Sequence, residues 1–255
     1  MSSLGNINLK VVLFDTDFYA LQSLNSYLAW DRRTRVMFYT ESLDALWAYL
    51  HKTALAELPD VVILDIDHIG GQSAMQRTVE RLTDMIDNVR VICLTQQIDP
   101  QMIEAAANHE AIVAYLSKNE VRLQIAPAVV YTLNHDFVVT KGVARAASRI
   151  FNNRLFQAAV LPERREYPEL TDRIRQAIQL CVVEGMPAHL AADEMGISLH
   201  TIRSYIKEGY RILESYDDTE YPVDMTPQER AFMRFTALAD EDDKDDKNPS
   251  GGVSK

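Results

Sequence analysis

The sequence predicts two structural classes in one chain of 255 residues, a doubly wound parallel α/β sheet followed by an all-α unit. Four short apolar runs in the first half each end at or just before a polar residue, and helical patterns lie between them. Buried strands that alternate with helices are typical of a parallel sheet with helices on both faces. In residues 170–213 apolar residues recur every three or four positions instead, which predicts three helices joined by two tight turns.

Polar side chains follow each of the four predicted strands. The strands are residues 10–14, 61–64, 89–94 and 111–116, and the helical patterns between them are residues 21–28, 43–55, 75–86 and 101–107. Asp15, Asp65 and Thr95 directly follow the first three strands, and Lys118 follows the fourth. The carboxyl ends of parallel strands meet at one edge of a sheet, so we expect these side chains to lie together. Two carboxylates can hold a divalent cation, a hydroxyl can bind a phosphoryl oxygen, and an ammonium can neutralise its charge.

These residues and their spacing resemble the receiver domain of two-component response regulators over residues 8–135. The resemblance implies a receiver-like, flavodoxin-like fold with a five-stranded sheet, and a sensor histidine kinase as a candidate partner. It implies that Asp65 is the phosphoacceptor, and that Mg²⁺ is the cofactor, bound by Asp15, Asp65 and the backbone carbonyl of Asp67. It further implies a phosphate switch made of Thr95, Tyr115 and Lys118.

The chain departs from the receiver pattern at two places. Receivers usually end the first strand with two consecutive acids, whereas Thr16 takes the second place here, with Asp17 next as the candidate substitute. The proline that usually follows the phosphoacceptor loop is absent from residues 65–70. Fewer carboxylates hold Mg²⁺ more weakly, and phosphoryl transfer depends on that ion. Two alternatives stay open: Asp65 is phosphorylated, or Asp65 and Lys118 form an ion pair in a degenerate site.

The all-α unit has the punctuation of a helix-turn-helix motif. Gly185 ends the first predicted helix, Pro187 opens the second, and residues 196–198 form a turn with Ser198 as the N-cap of the third. The buried faces of the first two helices are predicted to carry Ile174, Ala177, Ile178 and Cys181, and then Leu190, Ala191 and Met195. The second helix of such a motif, here the third of the unit, lies in the major groove of DNA.

The third helix sorts its side chains by angle. Ile202, Ile206, Gly209 and Leu213 fall within one arc, which predicts the buried face. The opposite side carries Arg203, Ser204, Lys207 and Arg211, while Ser198, His200 and Thr201 lie at the helix N-terminus, where they can bond phosphate oxygens. Residues 166–215 contain five Lys/Arg against eight Asp/Glu, which disfavours DNA binding, but three of the five cations share this exposed face.

Four short motifs resemble the LuxR/NarL-type DNA-binding domain found at the C-terminus of many response regulators. They are Leu170–Thr171, Glu184–Gly185, Leu190–Ala191 and the turn at 196–198. The resemblance implies that base and phosphate contacts come from Arg203, Ser204, Tyr205 and Lys207. It implies a partner, double-stranded DNA, and a homodimer on paired half-sites.

The predicted organisation has four parts: a receiver-like domain (1–135), a helical and basic linker (136–168), a helix-turn-helix domain with an extra C-terminal helix (169–239) and a disordered acidic tail (240–255). The linker contains a helix at 142–156 with Val143, Ala147, Ile150 and Phe151 on one side. Residues 141–165 contain six Lys/Arg and one acid, so the linker is strongly basic. It is expected either to contact the DNA backbone or to pair with the receiver-like domain. That domain is acidic, with ten Lys/Arg and sixteen Asp/Glu over 8–135.

The C-terminal helix has a specific start signal. Residues 226–229 form a capping box with proline at the first helical position, and Phe232, Met233, Phe235 and Leu238 predict an apolar face. This helix is expected to serve dimerisation or to pack on the receiver-like domain; the alternative dimerisation surface is residues 111–118 with the helix that follows. The acidic run at 240–247 either competes with DNA or only aids solubility.

Composition predicts a cytoplasmic globular protein. Net charge is −11, 47% of residues are hydrophobic, and the sequence shows neither a membrane-spanning run nor the apolar core of a signal peptide. Cys93 and Cys181 are isolated and predicted to be buried, which fits a reducing compartment. The histidines show no metal-ligand spacing, and His68, beside the acidic residues, is expected to be a solvated loop residue.

Three functions are compatible with these patterns. The leading one is a transcription regulator without enzyme activity, whose receiver controls dimerisation and DNA binding. In the second, the receiver-like domain binds a ligand or a partner protein without phosphorylation. The third is a haloacid-dehalogenase-like phosphatase, since Asp15 and Asp17 have its D-x-D form, as Asp65 and Asp67 do. Phe18 and Tyr19 stand where that family has small residues, which counts against it.

Overall fold

The computed structural model describes residues 7–216, 219 and 221–239, which divide into two compact units. The first unit contains residues 7–161 together with 219, 221 and 222, and the second contains residues 162–216 and 223–239. The predicted acidic tail, 240–255, lies outside the described residues. Among the helices described, none has the length and hydrophobicity that crossing a bilayer requires.

The first unit is built on a parallel sheet, which confirms the predicted fold class. Its strands are β1 (Leu9–Phe14), β2 (Thr34–Thr40), β3 (Val61–Asp65), β4 (Arg90–Thr95), β5 (Ile112–Ser117), β6 (Val138–Val139) and β7 (Ala159–Val160). The strand order is β2-β1-β3-β4-β5-β6-β7, and every pair is parallel. The first five strands have the flavodoxin-like order 2-1-3-4-5. Two further short strands extend the sheet beyond the five that we expected.

Helices cover both faces of this sheet. They are α1 (Phe18–Trp30), α2 (Leu43–Lys52), α3 (Gln72–Met85), α4 (Pro100–Ala107), α5 (Lys118–Val121), α6 (Ile125–Tyr131), α7 (Lys141–Ala147) and α8 (Asn153–Phe156). Helices α2, α3, α4 and α7 share one core with strand residues such as Val12 and Val62. Helix α1 packs on α6, and Val11 and Ile63, which point to the opposite face, are buried as well. Burial on both faces explains why these strands read as continuous apolar runs.

Strand β2 is the fifth strand of the expected sheet, which the sequence patterns did not locate. It lies at one edge of the sheet and pairs only with β1. Most of its side chains are partly exposed, so Arg35 and Tyr39 interrupt the apolar pattern that marked the other strands. An edge strand with one open side therefore leaves a weak signal in the sequence.

Residues 136–161, which the sequence analysis placed in a linker, form β6, α7, α8 and β7 of the first unit. The single helix predicted over 142–156 is wrong. Helix α7 ends at Ala147, and the Asn152 side chain caps α8 by accepting hydrogen bonds from two backbone N–H groups. Such local side-chain bonds compete with a continuous helix. Val143 and Ala147 are buried as expected, but Phe151 is 94% exposed.

Strand β5 is one part of the dimerisation surface considered for residues 111–118 and the helix that follows, and it has no open edge. All six of its residues are buried, and it pairs with β4 on one side and β6 on the other. The added strands have therefore covered what would be an edge in a five-stranded sheet.

The described residues of the second unit form four α-helices: α9 (Asp172–Ile178), α10 (Ala188–Met195), α11 (Leu199–Ser215) and α12 (Pro227–Thr236). The two glycines of the predicted turns have left-handed backbone angles, with φ of +67° at Gly185 and +63° at Gly196. Thr171 and Ser198 cap α9 and α11 with their side-chain oxygens. The order of helices and turns is thus the predicted one.

Cys181 and Leu190 are predicted to be buried in this unit, but both are at least partly exposed. Cys181 is partly exposed because α9 continues into a π-helical turn, Gln179–Val183, and its wider spacing rotates the residues that follow. Leu190 is 48% exposed, since the short α10 buries Ala191, Ala192 and Met195 instead. Cys93, in β4, is buried as predicted, and burial raises the pKa of its thiol to about 12.

Helix α12 belongs to the core of the second unit. Its capping box is formed as predicted: the Thr226 N–H donates to Glu229 Oε2 at 2.7 Å, and the Glu229 N–H donates to Thr226 Oγ1 at 3.2 Å. Phe232 and Phe235 are buried, and the helix packs on α11 and on the π-helical turn. It therefore forms part of the core on which α11 packs.

Gly209 of α11 packs directly against Ile178 of α9. A Cβ atom built on Gly209 would lie 2.6 Å from Cδ1 and 2.7 Å from Cγ1 of Ile178. Its φ does not require glycine, so its role is to permit close packing of the two helices.

We therefore expect Gly209→Ala to destabilise the second unit, although alanine normally favours a helix over glycine by about 1 kcal/mol. Overpacking a buried contact costs about 1–3 kcal/mol, which exceeds that gain. Thermal unfolding followed by circular dichroism should show a lower Tm. The double variant Gly209→Ala/Ile178→Val, which removes the Ile178 Cδ1 atom, should recover part of the loss. A Tm at or above that of the unmodified protein would contradict the steric explanation.

Candidate functional site

The carboxyl ends of the strands bring Asp15, Asp65 and Lys118 together, as the sequence predicts. Lys118 Nζ lies 2.7 Å from Asp15 Oδ2 and 3.0 Å from Asp65 Oδ1. Both carboxylates are buried, and the Lys118 side chain is only 12% exposed. We call these three residues the acidic edge. One ammonium is thus shared by two buried carboxylates.

The two carboxylates of the acidic edge respond differently to their surroundings. Burial raises the pKa of Asp15 above its ordinary value, and the contacts with Lys118 offset this only in part. Burial also disfavours the charged form of Asp65, but the hydrogen bond and charge of Lys118 outweigh it, and the pKa of Asp65 is lowered. Burial acts to lower the pKa of Lys118, yet its two carboxylate partners raise it overall. Asp65 is therefore the more firmly ionised partner of the cation.

Two residues beside Asp65 have contacts that the sequence analysis missed. The Thr16 hydroxyl donates to Asp65 Oδ2 at 3.4 Å, and His68 Nδ1 lies 3.2 Å from the same oxygen. His68 is 68% exposed, so it is a solvated loop residue as expected, with one ring nitrogen at the site. Their nearness in sequence to Asp65 and Asp15 was the available signal.

Asp17 directs one carboxylate oxygen, Oδ1, to helix α1 and not to the acidic edge. Its side chain caps α1 by accepting hydrogen bonds from the N–H groups of Tyr19 and Ala20. The same bonds occupy the residue that a D-x-D phosphatase would use as its general acid, so the geometry does not favour that alternative.

Thr95 makes a contact that the sequence did not predict. It is fully buried at the end of β4. Its hydroxyl oxygen lies 2.5 Å from Asp67 Oδ1 and 2.6 Å from the Gln97 backbone carbonyl oxygen, so these two acceptors share its one proton. The backbone N–H of Gln96 donates to the other oxygen, Asp67 Oδ2, at 2.6 Å. Asp67 thus joins the loop after β3 to the loop after β4 through its side chain. Tyr115 is buried in β5, and this burial raises the pKa of its phenol, while the Thr95 side chain beside it lowers it by less.

The acidic edge does not fit a tightly held Mg²⁺ ion. Among the described residues, no group of three or more His, Cys, Asp and Glu side chains is arranged to hold a metal. Asp15 and Asp65 are the two carboxylates that face each other, and one oxygen of each already contacts Lys118 Nζ. Mg²⁺ prefers six oxygen ligands in near-ideal geometry, and two carboxylates held by a lysine are a poor start.

Helix α11 presents the candidate nucleic-acid interface. Ile202, Gly209 and Leu213 are buried, as expected, and Ile206 is half-buried. The side chains predicted to contact DNA lie on the other side: Ser198, His200, Arg203, Ser204, Lys207 and Arg211 are exposed, and Thr201 and Tyr205 are half-exposed. A helix anchored on one side with cations on the other can enter a major groove.

Two of these side chains already have partners. Arg211 forms a bidentate salt bridge with Glu208, at 2.6 and 3.0 Å. The Ser198 hydroxyl caps α11 through the Thr201 N–H at 3.1 Å and lies 2.8 Å from the Thr201 hydroxyl. Arg203 and Lys207 are the cations on this face of α11 for which the described residues show no ion pair. They are therefore the candidates for contacts with a negatively charged partner.

Comparisons with known proteins give matches among solved structures alone. No protein-family model matches the chain. No curated protein matches it either. The chain is similar to the RcsB response regulator of Salmonella typhimurium, with 19% identity, a TM-score of 0.46 and coverage of 85% of this chain and 95% of that one.

Two further solved structures of RcsB are similar to this chain. A complex of the two-component response regulator RcsB with DNA matches at 18% identity and a TM-score of 0.47, covering 91% of this chain and 100% of that one. The isolated REC domain of RcsB from Salmonella enterica serovar Typhimurium, in the presence of phosphomimetic BeF3⁻, matches at 21% identity and a TM-score of 0.43, covering 55% and 98%.

Proposed function

We propose that the protein is a DNA-binding transcription regulator of the response-regulator class, with α11 as its recognition helix. The observation that carries the proposal is the exposed cationic face of α11, with Arg203 and Lys207 opposite the buried Ile202 and Leu213. Arg203, Ser204, Tyr205 and Lys207 contact base edges or phosphates, Arg211 contacts phosphate, and Ser198, His200 and Thr201 bond backbone oxygens at the helix N-terminus.

The protein acts, in this proposal, as a homodimer in the cytoplasm and has no enzyme activity. Helix-turn-helix dimers place their recognition helices on two half-sites about one helical turn apart. Selection of duplexes from a random pool by the full chain tests both DNA recognition and dimerisation. Enrichment of paired half-sites with this spacing is the expected result. A pool that stays random at low salt would contradict DNA recognition, and a single enriched half-site would contradict the dimer.

The receiver-like unit is proposed to control dimerisation and DNA binding. In one version, a sensor histidine kinase phosphorylates Asp65, and Lys118, Thr95 and Tyr115 respond to the added charge. A second version, control by a ligand or partner protein without phosphorylation, is favoured by specific contacts. Lys118 is already held by Asp15 and Asp65, and the Thr95 hydroxyl is already bound by Asp67.

Acetyl phosphate, or beryllofluoride with Mg²⁺, distinguishes the two versions. We expect neither to change the affinity of the full chain for its selected duplex, because the acidic edge lacks the ligands that phosphoryl transfer requires. Asp65→Ala should then bind the duplex normally. Fluorescence anisotropy with labelled duplex measures both results. A tighter complex after treatment, lost in Asp65→Ala, would establish the phosphorylated version instead.

A further inference from the structure

The side chain of Asp67 binds the hydrogen-bond donors that follow β4. Oδ1 shares the Thr95 hydroxyl proton with the Gln97 carbonyl oxygen, and Oδ2 accepts from the Gln96 N–H at 2.6 Å. The two donors belong to consecutive residues, and both oxygens of one carboxylate are used. Hydrogen bonds to an ionised acceptor are short and strong compared with neutral ones. The loop after β4 is thus held by an anion that belongs to the chain itself.

Asp67 also lies next to Asp65. The Asp67 N–H donates to Asp65 Oδ1 at 3.4 Å, so the two residues share one turn of the loop after β3. Because Asp67 contacts both Asp65 and the two donors, a phosphoryl group on Asp65 would add acceptor oxygens beside the carboxylate that those donors already bind. A carboxylate and a phosphoryl group are competing acceptors for one set of donors, and their like charges repel at this range.

We propose that the Asp67 carboxylate is an internal anion that holds the loop after β4 in place of a phosphoryl group on Asp65. The regulatory part of this inference rests on the proposed function, because it assigns the held loop to the state that supports DNA binding. The other groups of the switch agree with a state set by the chain alone. Lys118 is neutralised by Asp15 and Asp65, and Tyr115 is enclosed in the core. Asp67 is a positioning residue here, since it acts through Thr95 and Gln96.

Hydrogen exchange of the full chain tests the internal anion directly. We expect Asp67→Ala to raise the exchange rate of the Gln96 amide by about tenfold or more, the change that loss of a hydrogen bond to a charged acceptor produces. Asp67→Asn keeps one acceptor oxygen and loses the charge. Its Gln96 exchange rate should therefore lie between those of the unmodified protein and of Asp67→Ala. Asp60→Asn is the matched control, because Asp60 is exposed and bonded to the Lys10 N–H at the opposite end of the strands.

Trp30 and Trp47, the two tryptophans of the chain, both lie in the first unit, so their fluorescence reports whether each variant has folded. If Asp67→Ala does not fold, the comparison of Asp67→Asn with the unmodified protein decides. Equal exchange at Gln96 in the unmodified protein and in a folded Asp67 variant would overturn the proposal.

Affinity for the selected duplex tests the regulatory part. We expect Asp67→Ala to weaken DNA binding and Asp60→Asn to leave it unchanged. A loosened loop with unchanged affinity would overturn the regulatory role and leave the DNA proposal intact. If the unmodified protein binds no duplex, the proposed function fails, and the exchange measurement still decides whether Asp67 holds the loop.

Discussion

Replacing Arg203 and Lys207 together by alanine is expected to abolish most of the affinity for a selected duplex. Each side chain is exposed on the outer face of α11, where no described residue forms an ion pair with it. Loss of one base or phosphate contact typically costs about 1–3 kcal/mol of binding free energy, so the double variant should bind at least about thirty-fold more weakly. Fluorescence anisotropy at fixed salt measures the change.

The salt dependence of binding separates phosphate contacts from a change in fold. Each lost phosphate contact lowers the slope of log K against log salt by about 0.9, so the double variant should lose up to about 1.8. The control is Lys52→Ala/Arg77→Ala, which removes two exposed cations from the first unit and gives the same net charge. Equal affinities for both double variants would mean that α11 does not contact DNA.

Arg211 should contribute less than Arg203 or Lys207. Its guanidinium is bidentate with Glu208, so binding a phosphate requires that this pair be broken or shared. Arg211→Ala is therefore expected to weaken binding less than Arg203→Ala does, in the same anisotropy measurement. Glu208→Gln should strengthen binding, because it releases the guanidinium and removes a charge that repels DNA.

Lys118→Met is expected to destabilise the first unit by about 3–5 kcal/mol, since removal of one member of a buried ion pair leaves its partner uncompensated. Here the loss is shared by two carboxylates, Asp15 and Asp65, which are both buried. Urea unfolding followed by tryptophan fluorescence reports this unit, because Trp30 and Trp47 both lie in it. Adding Asp15→Asn to Lys118→Met should recover much of the loss. No recovery would show that lost packing, and not charge, destabilises the variant.

The stability of Lys118→Met should depend on pH with the opposite sign to the contribution that Asp65, paired with Lys118, makes in the native protein. In the native protein the pKa of Asp65 is lowered from 3.8, so its contribution to stability is present above that value and is lost as pH falls through the folded pKa. Without Lys118, burial leaves both carboxyl groups with raised pKa values. A carboxyl group with a raised pKa contributes stability at low pH and loses it as pH rises. The deficit of Lys118→Met should therefore shrink between neutral pH and about pH 5.

Much of the acidic edge could be predicted because it follows from local rules. Asp15, Asp65 and Lys118 each lie at or just after the end of a buried strand, and parallel strands present such residues at one edge. The contact between Thr95 and Asp67 could not be predicted. Which donors the side chain of a loop residue binds depends on the positions of both loops, after β3 and after β4, and these are set only in the folded protein. The resemblance to receivers assigned Asp67 a backbone role, whereas its carboxylate makes the bonds that the structure shows.

By itself, the sequence determined the features that depend on neighbours along the chain. These are the buried strands, the Ser198 cap, the capping box at Thr226, the left-handed glycines at 185 and 196, and the two faces of α11. Tertiary structure alone decided that residues 136–161 join the first unit, that β6 pairs with β5, and that Ile178 packs against Gly209. The physical reason is range. Caps, turns and helix faces are set by bonds within a few residues, whereas strand pairing and close packing depend on surfaces that meet only when distant segments have folded together.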